Sequence, residues 1–198
     1  LIKQLQKNYK PHTNNEEMYY KIRARGVKGE QYKDTARFIY LNKAGFNGLY
    51  RVNKKGGFNV PFGQKKKIVN FEVENLINCS KVLKEAKLYN GDFYKSLQYI
   101  KKGDFVYLDP PYAPISKTSD FTQYTKKDFK DFDQLRLKDF CDKIDKIGAK
   151  FIANNSDISF IKDIYSKYNI IKTPISRMIA ADKNSRKKVN ELIIHNII

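Results

Sequence analysis

The sequence predicts an α/β chain: an open sheet over the C-terminal part, preceded by helices and one β-hairpin. Three observations predict it. From about Ala86 onward, short strand-like runs alternate with helical stretches, the pattern of an open α/β sheet. Before that point, two polar helical stretches each end in glycine, a helix stop. From Phe46 to Phe62 the texture changes: "GLYRV" and "FNV" are strand-like, and "NKKGG" between them carries turn chemistry.

In chain order, "NEEMYYKIRARG" and "YKDTARFIYLNKAG" are the two glycine-stopped helices. The hairpin over 46–62 follows, with a basic tip. "FEVENLINCSKVLKEA" reads as an amphipathic helix. "AKLYNGDF" predicts a strand and turn, and "YKSLQYI" a short helix. "DFVYLD" is a strand, and "KDFDQLRLKDFCDKIDKIG" a helix closed by Gly148. Then come a strand in "AKFIANNS", a helix in "ISFIKDIYSKY", a strand in "NIIKTPI" and a last strand in "NELIIHNII". No internal repeat interrupts this order. Two domains result: 1–85, and 86–198.

The hydrophobic fraction of 41% over 198 residues supports a core in one domain or two small ones. No run of about 18 apolar residues predicts a membrane span. The chain begins at Leu1, with no charged-then-apolar leader, and reads as a fragment or a processed form. Cys79 and Cys141 lack CxxC spacing, and His12 and His195 are the only histidines, so two buried thiols are expected rather than a zinc site. The charge is the strongest signal. Thirty-nine Lys and Arg against 21 Asp and Glu give +18, which points to a polyanionic partner. Generic lysine filler explains part of that excess. It does not explain basic residues set among Asn, Gly and aromatics in "NKAGFNGLYRVNKKGGFNVPFGQKKK".

"FVYLDPPYAP" carries the chemistry. A strand ends in an acid, two prolines and a tyrosine at a sheet's carboxyl edge, where open α/β sheets bind ligands. Asp109, Pro110, Pro111 and Tyr112 offer an acceptor, a rigid turn and a flat ring. A planar base could stack on Tyr112 with its amino hydrogens on the Asp109 carboxylate and the Pro110 carbonyl. An adenine amine is a poor nucleophile because its lone pair is delocalised. Two fixed acceptors favour a tetrahedral nitrogen and take up the positive charge that develops on it. A base inside a duplex must be flipped out to reach such a pocket. The bland alternative is a proline-rich turn around a core tyrosine.

"YLDPPY" resembles motif IV of amino-group methyltransferases that use S-adenosylmethionine. "FIYLNKAGFNGLYRVNKKGGFNVPFG" resembles the target-recognition segment of the DNA adenine methyltransferase (Dam) family, a far more specific match. "DFTQYT", "ANNSD" and "SRKKVNELII" resemble that family's post-motif loop and last strands. The similarity runs from about Tyr19 to the end. It implies a Rossmann-like methyltransferase sheet with an inserted target-recognition domain, here 1–85, and the C-terminal part of the catalytic domain in 86–198. It implies methyl transfer from S-adenosylmethionine to N6 of a flipped adenine in double-stranded GATC, in a prokaryotic, nucleoid-associated cytoplasmic protein. A cognate restriction endonuclease is a further implied partner.

Carried over residue by residue, Arg51 matches an arginine that reads guanine, which bidentate bonding to O6 and N7 makes physically sensible. Leu49 matches a thymine-methyl contact. Phe46 matches an aromatic that wedges into the duplex, accompanied by Asn47; Pro61 matches another base-contacting position. Arg23, Lys43, Asn53, Asn59 and Lys66 match phosphate contacts. Asp92 and Phe93 match positions beside the cofactor's adenine ring, and Asp109 faces both cofactor and base. Gln64 stands where some relatives have arginine, and the family's FxGxG cofactor loop is absent, since no G-x-G occurs in the chain. The expectation is therefore a chain lacking at least one βαβ unit of roughly 30 residues. Its exposed strand edge would make it poorly stable or self-associating. Two other readings stay open: a DNA-binding module without turnover, and N4-cytosine methylation. The lysine runs at 65–67 and 186–188 read either as solvated surface or as phosphate contacts.

Overall fold

A computed structural model describes residues 1–8, 15–64, 72–115, 129–176 and 188–197. The described residues up to Tyr89 form one compact unit, and those from Asn90 onward another.

In the first unit, α1 (Ile2–Asn8), α2 (Glu16–Ala24) and α3 (Gln31–Ala44) gather around Leu5, Tyr19, Ala36, Tyr40, Leu41 and Ala44. Asn15 caps α2, its side-chain oxygen accepting the Met18 N–H at 2.8 Å. Buried Arg37 of α3 donates to the Ile22 and Arg23 carbonyls at 3.0 and 2.7 Å, satisfying the end of α2. α3 stops at Gly45, where an added Cβ would lie 2.6 Å from the Leu41 carbonyl oxygen, so no larger residue fits. α4 (Val73–Glu85) forms as the sequence predicts, yet none of its residues is buried. Cys79 is accordingly exposed, against the expectation of two buried thiols, while Cys141 is buried.

The predicted hairpin needs a similar correction. Residues 46–48 form a short 3-10 turn, and pairing beyond it is reduced to single bridges, Gly45 with Phe62 and Val52 with Phe58. The turn over 53–57 is there, but Pro61, lacking an N–H, cannot extend a ladder.

Tyr19 joins the helical core to this segment by donating to the Val60 carbonyl at 2.9 Å. Burial pushes its phenol up from 10.0 to about 12. A raised acid pKa means stability that is complete below pH 10 and is lost as pH climbs through about 12. Wild type is thus expected to be more stable than Tyr19→Phe at neutral pH, with the gap narrowing between pH 10 and 12. Urea midpoints across that range check it, and a constant gap would contradict it.

In the second unit, a 3-10 helix (Phe93–Tyr99) leads to β1 (Phe105–Leu108). The "AKLYNGDF" run is not a strand: Leu88 and Tyr89 are 73% and 64% exposed, so no burial rewards an extended ladder there. After β1 come α5 (Asp131–Ile147), β2 (Lys150–Ser156), α6 (Ser159–Ile164), β3 (Asn169–Ser176) and β4 (Lys188–His195). They form a four-stranded mixed sheet in the order β1-β2-β4-β3. β1 and β2 are parallel, in register from Phe105 with Lys150 to Leu108 with Ala153; the other pairs are antiparallel.

α5 explains itself from sequence. Leu137, Phe140, Cys141 and Ile144 recur at three- and four-residue intervals and make one apolar stripe. Gly148 ends the helix at φ 84°, the left-handed region that favours glycine. The stripe packs with Ile161 of α6 and with Phe151, Ala153, Leu192 and Ile194, which share one sheet face. On the other face Phe105 and Tyr107 are each 59% exposed, as are half of Ile171 and part of Ile175. No helix of the described residues is long and apolar enough to cross a membrane.

Candidate functional site

β1 delivers Asp109 to its carboxyl end, and the chain then turns through Pro110 and Pro111. Asp109 is exposed, Pro110 to Tyr112 are half-buried, and Ala113 is buried. The corner is held from below by side chains distant in sequence. Gln134 of α5 donates from Nε2 to the Pro111 carbonyl at 3.0 Å. Its Oε1 accepts from Asn155 Nδ2 at 3.0 Å. Asn155 Oδ1 in turn accepts the Ala113 N–H at 3.0 Å and the Ser156 N–H at 2.9 Å. Ser156 Oγ donates to the Ala113 carbonyl at 2.7 Å. Gln134, Asn155 and Ser156 are all buried.

Tyr112 donates its hydroxyl to Glu191 Oε2 of β4 at 3.2 Å. Burial, then the Glu191 charge and that bond, push its phenol well above the ordinary range, so it stays neutral. The carbonyls of Pro111 and Ala113 are taken, whereas the Pro110 carbonyl and the Asp109 carboxylate accept no hydrogen bond among the described residues. The corner therefore offers two adjacent acceptors, the arrangement that can receive both hydrogens of one amino group.

Asp92 and Phe93 lie in the same unit. Asp92 caps the 3-10 helix, Oδ1 accepting the Tyr94 N–H at 2.9 Å, and both its oxygens accept from Arg136 Nη2 at 3.0 Å. The Tyr94 amide first, then Arg136, hold this carboxyl below the usual range. The Arg136 guanidinium also lies 5.2 Å from the Phe93 ring centroid. An ionised acceptor beside an aromatic ring fits the adenine end of a nucleoside cofactor, with Arg136 fixing the acceptor. Among the described residues, no group of three or more metal-ligating side chains gathers.

In the first unit, Phe46 is 45% exposed on its 3-10 turn, and its N–H donates to the Pro61 carbonyl at 2.9 Å, bringing those two positions together. Asn47 holds φ 52°, uncommon outside glycine but tolerated by Asn. Asn42 secures the turn by donating to the Gly48 carbonyl at 2.7 Å. At Gly63 a Cβ would meet the Gly45 and Ala44 oxygens at 2.7 and 2.9 Å, so the two backbones touch only because it is glycine. Leu49 is half-buried and Lys43 exposed.

Several expected phosphate contacts have internal duties. Asn53 ties the basic tip, its Oδ1 accepting the N–H groups of Lys55 and Gly57 at 3.0 and 2.9 Å. Arg23 donates to the Val60 carbonyl at 3.0 Å and stacks on Tyr20. Arg51 bonds to Asn59. Lys66, with the lysine run 65–67, residues 186–187 of the second run and the post-motif loop "DFTQYT", lies outside the described residues, while Lys188 opens β4.

Sequence reasoning missed Gln134, Glu191 and Arg136. A signal existed for the first: Gln134 is a polar residue on the same stripe as Leu137, Cys141 and Ile144. A four-stranded mixed sheet with helices, carrying at a strand end two acceptors that are open among the described residues, defines an α/β protein. The chain belongs to the D12 class N6 adenine-specific DNA methyltransferase family, whose model matches residues 1–179. It is 47% identical over 186 residues to the type II methyltransferase M.MjaIII of Methanocaldococcus jannaschii, covering 91% of this chain and 64% of that protein. It is 38% identical over 190 residues to type II methyltransferase M1.LlaDCHI of Lactococcus lactis subsp. cremoris, covering 92% and 67%. With the DNA adenine methylase of Escherichia coli K12 it shares 33% over 184 residues, covering 92% and 66%. The chain thus spans about two thirds of the length of these relatives.

Proposed function

We propose that this chain is the target-recognising and amine-activating part of an enzyme that methylates N6 of adenine in double-stranded DNA. The observation that carries it is the corner: among the described residues the Pro111 and Ala113 carbonyls are tied back, while the Asp109 carboxylate and the Pro110 oxygen accept no hydrogen bond. In this reading a flipped adenine stacks on Tyr112, held in tilt by Glu191, and its amino hydrogens point at Asp109 Oδ and the Pro110 oxygen. These acceptors gain strength as the nitrogen becomes cationic, so they favour the transition state over the ground state. Asp92 and Phe93 would hold the adenine end of S-adenosylmethionine, which supplies the methyl group. The sheet is proposed as the C-terminal portion of a Rossmann-like methyltransferase sheet, the proposed domains being 1–85 for target recognition and 86–198 for catalysis.

GATC is the proposed target. Arg51 reads guanine, Leu49 and Pro61 touch bases, and Phe46 with Asn47 fills the space the adenine leaves. Lys43 and Arg23 anchor phosphates, with Asn53, Asn59 and Lys66 proposed for the same task. The +18 charge suits that partner. A cognate restriction endonuclease and a cytoplasmic setting are part of the proposal. The half-bare sheet face at Phe105, Tyr107 and Ile171 supports self-association of the isolated chain, which sedimentation at rising concentration checks.

The test is transfer of radiolabelled methyl groups from S-adenosylmethionine to GATC duplexes, followed by nucleoside analysis. N6-methyladenine is the expected product. N4-methylcytosine would overturn the base assignment, and DNA binding without any transfer would leave only a recognition module.

A further inference from the structure

Arg51 and Asn59 face each other across the narrow turn, one residue outside the Val52–Phe58 bridge. The Asn59 N–H donates to the Arg51 carbonyl at 3.0 Å, fixing both backbones. The Arg51 side chain then folds onto the same partner. Nε donates to Asn59 Oδ1 at 2.8 Å and Nη2 to the Asn59 carbonyl at 3.1 Å. A guanidinium has five N–H groups on a rigid plane, with two edges able to make paired bonds. Asn59 takes the edge formed by Nε and Nη2. The end edge, formed by Nη1 and Nη2, keeps its donors, and Arg51 is exposed. Paired bonds to guanine O6 and N7 need one such edge and no more.

The geometry points to Asn59 as the positioning residue that sets the base specificity of Arg51, rather than as a phosphate anchor alone. This rests on Arg51 reading guanine, as proposed above. An arginine on a surface loop otherwise samples many rotamers and must be ordered at the moment of binding. Asn59 does that ordering beforehand, through its oxygen. Its amide Nδ2 donates to nothing among the described residues and remains open to a phosphate. The two ends of one side chain would thus link base reading to backbone register.

The experiment measures Kd by fluorescence anisotropy for the full chain with a GATC duplex and with duplexes changed at one base pair each, from 50 to 200 mM salt. R51A is expected to lose about tenfold discrimination at one G·C pair. N59A is expected to lose discrimination at that same pair with its salt slope nearly unchanged. N59D keeps the acceptor and loses the amide, so it should discriminate like wild type while binding all duplexes more weakly. The double variant should lose no more discrimination than R51A. If N59A instead weakens every duplex alike and leaves discrimination at that pair intact, Asn59 is a phosphate contact only and the proposal fails. If N59D discriminates as poorly as N59A, the acceptor has no such role. A normal R51A profile sinks the reading of Arg51 itself; a relaxed R51A beside a normal N59A sinks this proposal alone.

Discussion

Asp109→Asn is expected to slow methyl transfer to adenine by about 10²–10³-fold, the range seen when one preorganised electrostatic group is removed. The substitution preserves shape and one oxygen. It removes the charge that answers a developing ammonium, and it turns an amide NH2 toward hydrogens that need an acceptor. The loss should fall on kcat, with KM for DNA nearly unchanged, because the bond strengthens only as the nitrogen pyramidalises. Stability should not move, since the Asp109 carboxylate is exposed and accepts no hydrogen bond among the described residues. Single-turnover rates, DNA affinity and urea midpoints together check the split. A variant that keeps a third or more of the wild-type rate would remove Asp109 from catalysis. One that loses rate through DNA affinity would make it a binding residue.

What the sequence revealed, and what it hid, follows a physical division. α5 was readable because its apolar stripe and its closing Gly148 are both local signals. β1 and β2 were readable because their runs sit beside each other and bury alternate residues, Phe151 and Ala153 among them. The run before Asp92 has similar composition, yet no neighbouring strand rewards extension, and local pattern cannot report a missing partner. The hairpin was overstated for a related reason. Turn chemistry at "NKKGG" is local and correct, while ladder length depends on Pro61 and on the 3-10 turn at Phe46–Gly48.

The corner divides the same way. Asp109 and Tyr112 announce themselves by type and order. Gln134 and Glu191 do not, because their roles exist only through partners 21 and 79 residues away in sequence. The expected phosphate contacts Asn53 and Asn59 illustrate the converse. A family match can place a residue near a ligand without revealing that its oxygen also binds its own chain.

Asn155→Leu is expected to destabilise the second unit by about 3 kcal/mol or more, whereas Asn154→Leu, one residue away, costs about 1 kcal/mol or less. The two asparagines have one composition and opposite faces. Asn155 is 1% exposed and serves three groups: the amides of Ala113 and Ser156, and the Gln134 oxygen. Leucine fills the same space and answers none of them. Each buried group left unpaired costs about 1–3 kcal/mol, so the sum is large against a total stability of about 5–15 kcal/mol. Asn154 makes one partly exposed bond to the Tyr107 hydroxyl at 2.8 Å, and water can replace it. Losing the Asn155 clamp would also free the Pro111–Ala113 segment, so any folded Asn155→Leu should turn over more slowly than its stability loss explains. Urea unfolding and single-turnover rates at low temperature measure both effects. Equal losses for the two variants would show that the network under the corner does not hold it.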